Sequence, residues 1–350
     1  MALWARMAER RQDTPCPDVD AEWRAFQSRH SIGQMRGREP RQRMHPWMAV
    51  ALGAAAMLLC VWGYEYVLHR LPGADADEAV MVLAHDDSPA NIVLYDGVDS
   101  FNVSSVDSLS FFEAKDRYVA TSEENAGPDI IVREQQPVVQ RLSTPRGMDF
   151  KVILPDGSEV WLNAESTIEF PSAFTAEERR VVLHGEAFFK VTQDEHCPFI
   201  VTTDRMDVRV LGTEFNFRNY EYACSHVSLV KGTVQVYTKD VGQTVAATLK
   251  PGEGAWCDRK GELQVGADDI YAVTQWMDGF FYFDNCPLTD VLQELGRWYN
   301  LGVIFKRPEV MHYKMHFSAS RDGSIEEVVR NLNRLRKVKV VVEGVNFVVY

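Results

Sequence analysis

The chain has 350 residues, 46% hydrophobic and 25% charged, the composition of a folded globular protein, which excludes wholesale disorder. Its net charge of −13 weighs against a nucleic-acid binder, which would carry an excess of Lys and Arg. The charge is unevenly spread: residues 1–46 hold nine Arg against six acids, whereas the remainder holds 28 basic and 44 acidic residues.

Residues 1–46 read as a short helical arm. Thr14-Pro15-Cys16-Pro17 breaks a first helical stretch, and a second begins at Asp18 with Asp20 and Glu22 in its first turn. Val19, Trp23, Phe26 and His30 fall at i, i+4, i+7 and i+11, on one face. A segment this short does not bury two Trp by itself. The stripe therefore reads either as a partner-binding face or as an amphipathic helix lying on a membrane.

Trp47 to Tyr64 is an uncharged run of eighteen residues, and apolar character continues to Leu68. A helix of that length is about 27 Å long, close to the hydrocarbon thickness of a bilayer. Trp47 marks one end, and Trp62, Tyr64 and Tyr66 the other, as interfacial aromatics do. A buried core helix or a cleaved leader are the competing readings. Forty-six preceding residues are too many for the leader. Arg36, Arg38, Arg41 and Arg43 flank the run on its N-terminal side, while Leu71 to Ser100 holds seven acids and no Lys or Arg. The positive-inside rule then puts the N-terminus in the cytoplasm and the bulk of the chain outside, spanning 47–68 once.

Beyond the span, 71–140 reads as a juxtamembrane β segment and 141–275 as a mainly β domain. Short Val-, Phe- and Thr-rich runs recur between turn signals, as in stacked antiparallel strands of a sandwich or a solenoid. Lys151–Leu154, then Pro155-Asp156-Gly157, then Val160–Leu162 is a hairpin signature. Residues 276–350 change period. Leu288, Val291, Leu292, Leu295, Trp298 and Tyr299 mark one helix, with Pro287 at its start. Ser324 and Glu327 form a capping box for a second, with Ile325, Val328, Val329, Leu332 and Leu335 on its core face. Strands at 280–283, 301–306, 314–318, 338–342 and 347–350 complete a β-α-β-β-α-β-β module.

No motif of catalysis or cofactor binding is present: no GxSxG, no Walker loop, no GxGxxG. Gly252-Glu253-Gly254 lacks the third glycine and following helix that phosphate binding needs. His312 and His316 read as surface residues. His184, His196 and His226 would hold a metal only if the fold brought them together. The chain therefore reads as non-enzymatic, with no cofactor and no metal. Cys197, Cys224, Cys257 and Cys286 would be extracytoplasmic, where either disulfides or buried thiols are open to them; Cys16 and Cys60 fall in the arm and the span.

Several stretches together carry a family resemblance. These are Thr144-Pro145-Arg146-Gly147; Leu154-Pro155-Asp156-Gly157-Ser158-Glu159-Val160-Trp161-Leu162-Asn163-Ala164; Arg180 to Val191, with His184-Gly185-Glu186 at its middle; Pro198-Phe199-Ile200-Val201; Val210-Leu211-Gly212-Thr213-Glu214-Phe215-Asn216; and Trp276-Met277-Asp278-Gly279-Phe280. From about residue 75 onward the chain resembles the FecR family of transmembrane anti-sigma regulators, in the form common in Bacteroidetes. Its last module is similar to the short N-terminal signalling domain of secretins and TonB-dependent transducers. The motif residues also have plain structural readings: Gly157 and Gly212 set turns, and Trp161 and Phe215 are core. The resemblance implies an inner-membrane protein, with no direct nucleic-acid contact, that receives a periplasmic signal from an outer-membrane TonB-dependent transducer. Its arm, through Val19, Trp23 and Phe26, would hold an extracytoplasmic-function sigma factor. Gly53-Ala54-Ala55-Ala56 is either a point where an intramembrane protease unwinds the span or a helix-packing surface. A membrane-anchored binding module without regulatory output is the alternative.

Overall fold

The computed structural model describes residues 79–111, 117–120, 130–133, 138–239, 245–334, 336 and 338–350. The arm with Val19, Trp23 and Phe26, the span 47–68 with Gly53–Ala56, and Cys16, Cys60 and Leu335 lie outside them. Among the described residues no helix is long and apolar enough to cross a membrane. These residues belong to one compact unit, Ala74–Tyr350.

Two β layers share one long strand, Arg179–Lys190. Its first half lies between Ser166–Pro171 and Phe199–Thr202; its second half lies between Glu159–Leu162 and Glu214–Asn219. The first layer continues outward through Val139–Thr144 and Val93–Tyr95 on one side, and Met206–Val210 and Val234–Thr238 on the other. The second continues through Phe150–Ile153, and through Ser225–Lys231 and Glu253–Cys257. Most pairs are antiparallel, but Phe199–Thr202 runs parallel to the shared strand. Strands alternate because one face is wet: in Ser166–Pro171 every second residue is buried, which sends Ile168 and Phe170 inward. Leu94, Leu142, Ile168 and Leu183 from one layer meet Val152, Leu162, Phe189 and Phe215 from the other in a single apolar core.

The strand changes layer at Gly185. Its φ is +89°, which L residues rarely adopt. A Cβ there would stand 2.7 Å from the Glu165 carbonyl oxygen and the Ser166 Cα. The Pro155-Asp156-Gly157 hairpin forms with Val152 opposite Val160 and Gly157 at φ +79°. Asp156 also accepts hydrogen bonds from Ser158 N and Oγ at 3.0 and 2.6 Å, and from the buried Arg179 guanidinium at 2.8 Å. Phe215 is fully buried and stacks on Phe189, its register partner, at 5.0 Å. Trp161 departs from the core expectation: it is half-buried on the outer face, edge-on to Phe188 and under the Lys151 ammonium. In the strand Glu159–Leu162 the fully buried residues are Val160 and Leu162, and the period of two turns Trp161 outward. Gly212 is required by crowding, since a Cβ would meet Gln193 Cα at 2.7 Å. Cys197, Cys224 and Cys286 are free thiols, and Cys257 sits in the core.

The C-terminal part begins after α1 (Ile270–Thr274) and a tight turn, Gln275–Asp278. Strand Phe280–Pro287 pairs with Lys314–Ser320. Helix α2 (Leu288–Tyr299) starts after Pro287, which is its N-cap, and stops at Asn300 in a left-handed conformation. Helix α3 (Ile325–Asn333) is capped by the Ser324 side chain, which accepts from Glu327 N. Gly302–Phe305, Asn346–Val349 and Val340–Glu343 form a sheet against the helices. A fourth strand, Val80–Leu83, pairs with Gly302–Phe305 from more than 200 positions upstream. Nothing in the local pattern places it there. Leu288, Val291, Leu292, Leu295, Val328 and Leu332 fill a second core.

Candidate functional site

Where the β layers meet the C-terminal part, charged and polar side chains are buried together. Helix α2 turns its apolar stripe to its own sheet. Its other face carries Gln293, Glu294 and Arg297, which the β domain covers. Glu294 is the hub. One oxygen lies 3.1 Å from Arg321 Nη2 and accepts from Asn163 Nδ2 at 3.2 Å. The other lies 3.4 Å from Arg218 Nη2 and 3.5 Å from Arg297 Nη2.

The network continues into the family motifs. Asn163 Nδ2 also donates to Glu186 at 2.9 Å, and its Oδ1 accepts from Arg321 Nη1 at 2.9 Å. Asn216 Nδ2 donates to the other Glu186 oxygen at 2.8 Å, and its Oδ1 accepts from the Trp276 indole at 3.2 Å. Aromatic faces cover the cations: Arg321 lies 4.4 Å from the Trp298 ring centroid and Arg297 3.9 Å from that of Tyr220. Tyr220 donates its hydroxyl to the Ala164 carbonyl at 2.8 Å. The inner cluster thus balances two carboxylates, Glu186 and Glu294, with three guanidiniums, and Asp149 lies 3.8 Å from Arg321 on the outer side.

The electrostatics follow from this crowding. Burial by itself would raise the Glu294 carboxyl, but Arg218, Arg297 and Arg321 outweigh it and hold the group at about 2. Burial opposes the charge on Arg218 as well, yet Glu186 and Glu294 push its pKa upward. Burial, with Glu294 alongside, pushes the Tyr220 hydroxyl up, so it remains a donor. Burial also raises Asp149. A carboxyl held near 2 when folded and near 4.5 when unfolded contributes stability that is complete above pH 4.5 and is lost as pH falls toward 2. Asp149, raised by burial, partly opposes this contribution. Urea midpoints should therefore fall between pH 6 and pH 3, and the fall should be smaller in Glu294→Gln.

Of the motif residues, the structure brings together Asn163, Glu186 and Trp276, with Gly185 setting the corner beside them. Leu162 is in the β core, and Gly279 closes the turn after Trp276 at φ +79°. Pro155, Asp156, Gly157, Trp161, Gly212, Thr213 and Phe215 lie elsewhere in the β domain; the Thr213 hydroxyl donates to the Thr233 carbonyl at 3.0 Å. Glu294, Arg321, Arg218 and Arg297 carry no sequence signal of their own: Glu294 and Arg297 lie opposite an apolar helical stripe, and Arg218 in a strand and Arg321 just after one read as ordinary solvated charges. The three histidines do not converge. His184 and His226 line different cavities, and His196 is exposed in a turn. Among the described residues no group of three His, Cys, Asp or Glu could hold a metal ion. His226 meets both Asp268 at 2.7 Å and Ser228 at 3.1 Å through the same nitrogen, Nε2. A catalytic relay needs the carboxylate on one ring nitrogen and the hydroxyl on the other.

Known proteins give a consistent picture. The family described as FecR protein matches residues 140–235, which hold Asn163, Glu186, Asn216 and Arg218; the family described as FecR, C-terminal, matches 280–349, which hold Glu294, Arg297 and Arg321. No curated protein matches. A crystal structure of a proposed anti-sigma factor from Parabacteroides distasonis ATCC 8503, at 1.65 Å, is 32% identical with a TM-score of 0.55, covering 60% of this chain and 98% of that one. A second, at 2.50 Å, is also 32% identical, with a TM-score of 0.56, covering 61% and 99%. With both matched regions meeting in one buried network, and with nearly the full length of these structures covered, the chain belongs to the FecR family.

Proposed function

We propose that the protein is a single-pass inner-membrane anti-sigma factor. In this reading residues 1–46 are cytoplasmic and bind an extracytoplasmic-function sigma factor, residues 47–68 span the membrane, and Ala74–Tyr350 is periplasmic. The C-terminal part receives the signalling domain of a TonB-dependent transducer, and proteolysis or rearrangement then frees the sigma factor. The carrying observation is the 32% identity to a proposed anti-sigma factor over 98% of that chain. The buried network adds a physical reason for the relay. A signal domain loosely tied to its neighbour would dissipate a binding event in the linker, whereas a locked pair moves as one body. The test is a pull-down of extracytoplasmic-function sigma factors from the source organism with residues 1–46. Wild type should retain one, and Trp23→Ala/Phe26→Ala should lose it, since buried aromatics dominate small interfaces. No retention by the wild-type arm, with no change in target transcription on gene deletion, would reject the reading.

One observation favours a second reading, a membrane-anchored binding module. A cleft of about 360 Å³ beside the network is lined by Trp256, Phe280 and Tyr282, and Phe280 is 45% exposed. Under that reading the Trp23→Ala/Phe26→Ala variant leaves transcription unchanged.

A further inference from the structure

The strand Val80–Leu83 completes a sheet that belongs to the C-terminal part. It pairs antiparallel with Gly302–Phe305, placing Val80 opposite Phe305 and Leu83 opposite Val303, with an irregularity between Met81 and Leu83. The strand seats closely on this edge. At Gly296 on α2, a Cβ would stand 2.7 Å from both Leu83 Cδ2 and the Leu301 carbonyl oxygen; at Gly302, a Cβ would meet the Asn346 side chain first and stand 3.1 Å from the Leu83 carbonyl oxygen. Polar groups fasten the segment that follows. Gln293 Nε2 donates to the Val82 carbonyl at 3.1 Å. Asn300 donates to the Asp86 carbonyl at 2.8 Å and accepts from Asp86 N at 3.2 Å. The Asn300 carbonyl meets His85 Nδ1 at 2.7 Å, and Arg146 of the β domain donates to the Ala84 carbonyl.

The hold is specific but shallow. No residue of the strand is fully buried and Met81 is 57% exposed, whereas Val303 and Phe305 beneath it are fully buried. Four residues with a broken register give few ladder bonds, and an edge with a sound core outlasts the strand that covers it. The strand is also the first described element after residues 47–68, with eleven residues between Leu68 and Val80.

We propose that Val80–Asp87 is a displaceable strap: the chain's own occupant of a strand-acceptor edge on Gly302–Phe305, which an extended aliphatic segment of a partner takes over by strand exchange. The incoming segment replaces the ladder bonds and the Leu83 contact on α2, and the strap leaves with the connection toward residue 68. The proposal goes beyond the sigma-factor reading and does not depend on it, since the exchange is a property of the Ala74–Tyr350 unit.

The test uses the full chain in detergent and a fluorescent peptide with the sequence of residues 78–88. Bound strap lowers the fraction of chains able to accept the peptide, and apparent affinity falls by that fraction. Leu83→Glu, which places a charge against α2, should tighten peptide binding roughly tenfold or more and raise hydrogen exchange at 80–87. Gln293→Ala, which removes one fastening bond and leaves the core intact, should shift both readouts the same way by a smaller factor. Met81→Cys/Ile304→Cys joins facing positions; with Cys197, Cys224 and Cys286 changed to serine, its oxidised form should bind no peptide and regain binding on reduction. The proposal is overturned if Leu83→Glu and Gln293→Ala bind the peptide no more tightly than wild type, or if the oxidised cysteine pair binds as well as the reduced one.

Discussion

Replacing Glu294 with alanine is expected to destabilise the Ala74–Tyr350 unit by about 3–5 kcal/mol, the cost of removing one partner of a buried ion network. The substitution leaves Arg218, Arg297 and Arg321 facing one another, with Glu186 and, on the outer side of Arg321, Asp149 left to balance them. Arg297 and Arg321 are both nearly inaccessible to water, which therefore does little to screen that repulsion. The melting temperature should fall by roughly 10 °C, given the 2–4 °C per kcal/mol expected for domains of this size. Arg321→Ala alone should cost a comparable amount. The two together should cost less than their sum, because each removes the group that the other leaves stranded. Additive losses, measured as urea midpoints on the four proteins of this cycle, would mean that the 3.1 Å contact carries no coupling.

The second large effect is at the strand corner. Gly185→Ala should cost about 1–3 kcal/mol for the left-handed backbone and about 1–3 kcal/mol more for the clash with Glu165 and Ser166. The loss has a particular character. Glu186, one residue on, accepts from both Asn163 and Asn216, and its own N–H donates to Ser166 Oγ at 2.9 Å. A shift of the corner therefore misplaces the network carboxylate as well as straining the turn. A matched control is Gly252→Ala: Gly252 shares a positive φ of +86° but has nothing within 4 Å of its Cβ position. It should cost only the backbone share. Equal losses at the two sites would show that crowding at the corner is not what requires glycine.

Much of the fold was legible in the sequence where local chemistry decides it. The helical period of Leu288, Val291, Leu292 and Leu295 and the Ser324 cap gave the two helices, and Pro155-Asp156-Gly157 gave its hairpin. What was not legible depends on distant chain. Val80–Leu83 looks like any short apolar run, and its partner strand lies more than 200 residues away. Trp161 reads as core by composition, yet its place in an alternating strand turns it outward. Glu294 is the clearest case. It sits opposite an apolar stripe, where solvent is the ordinary neighbour, and only the approach of the β domain makes it a buried hub. Asn163, Glu186 and Asn216 belong to motifs that mark the family without marking a site. Their convergence on helix α2 shows that these motifs, far apart in the chain, meet at one joint.

A joint of this kind is expected to make the β domain and the C-terminal part a single cooperative body. The decisive measurement is calorimetry of residues 74–350 at neutral pH. A single transition that moves down as a whole in Glu294→Ala is the predicted result. Two separate transitions in the wild-type protein, with the one from residues 280–349 unmoved by Glu294→Ala, would contradict it.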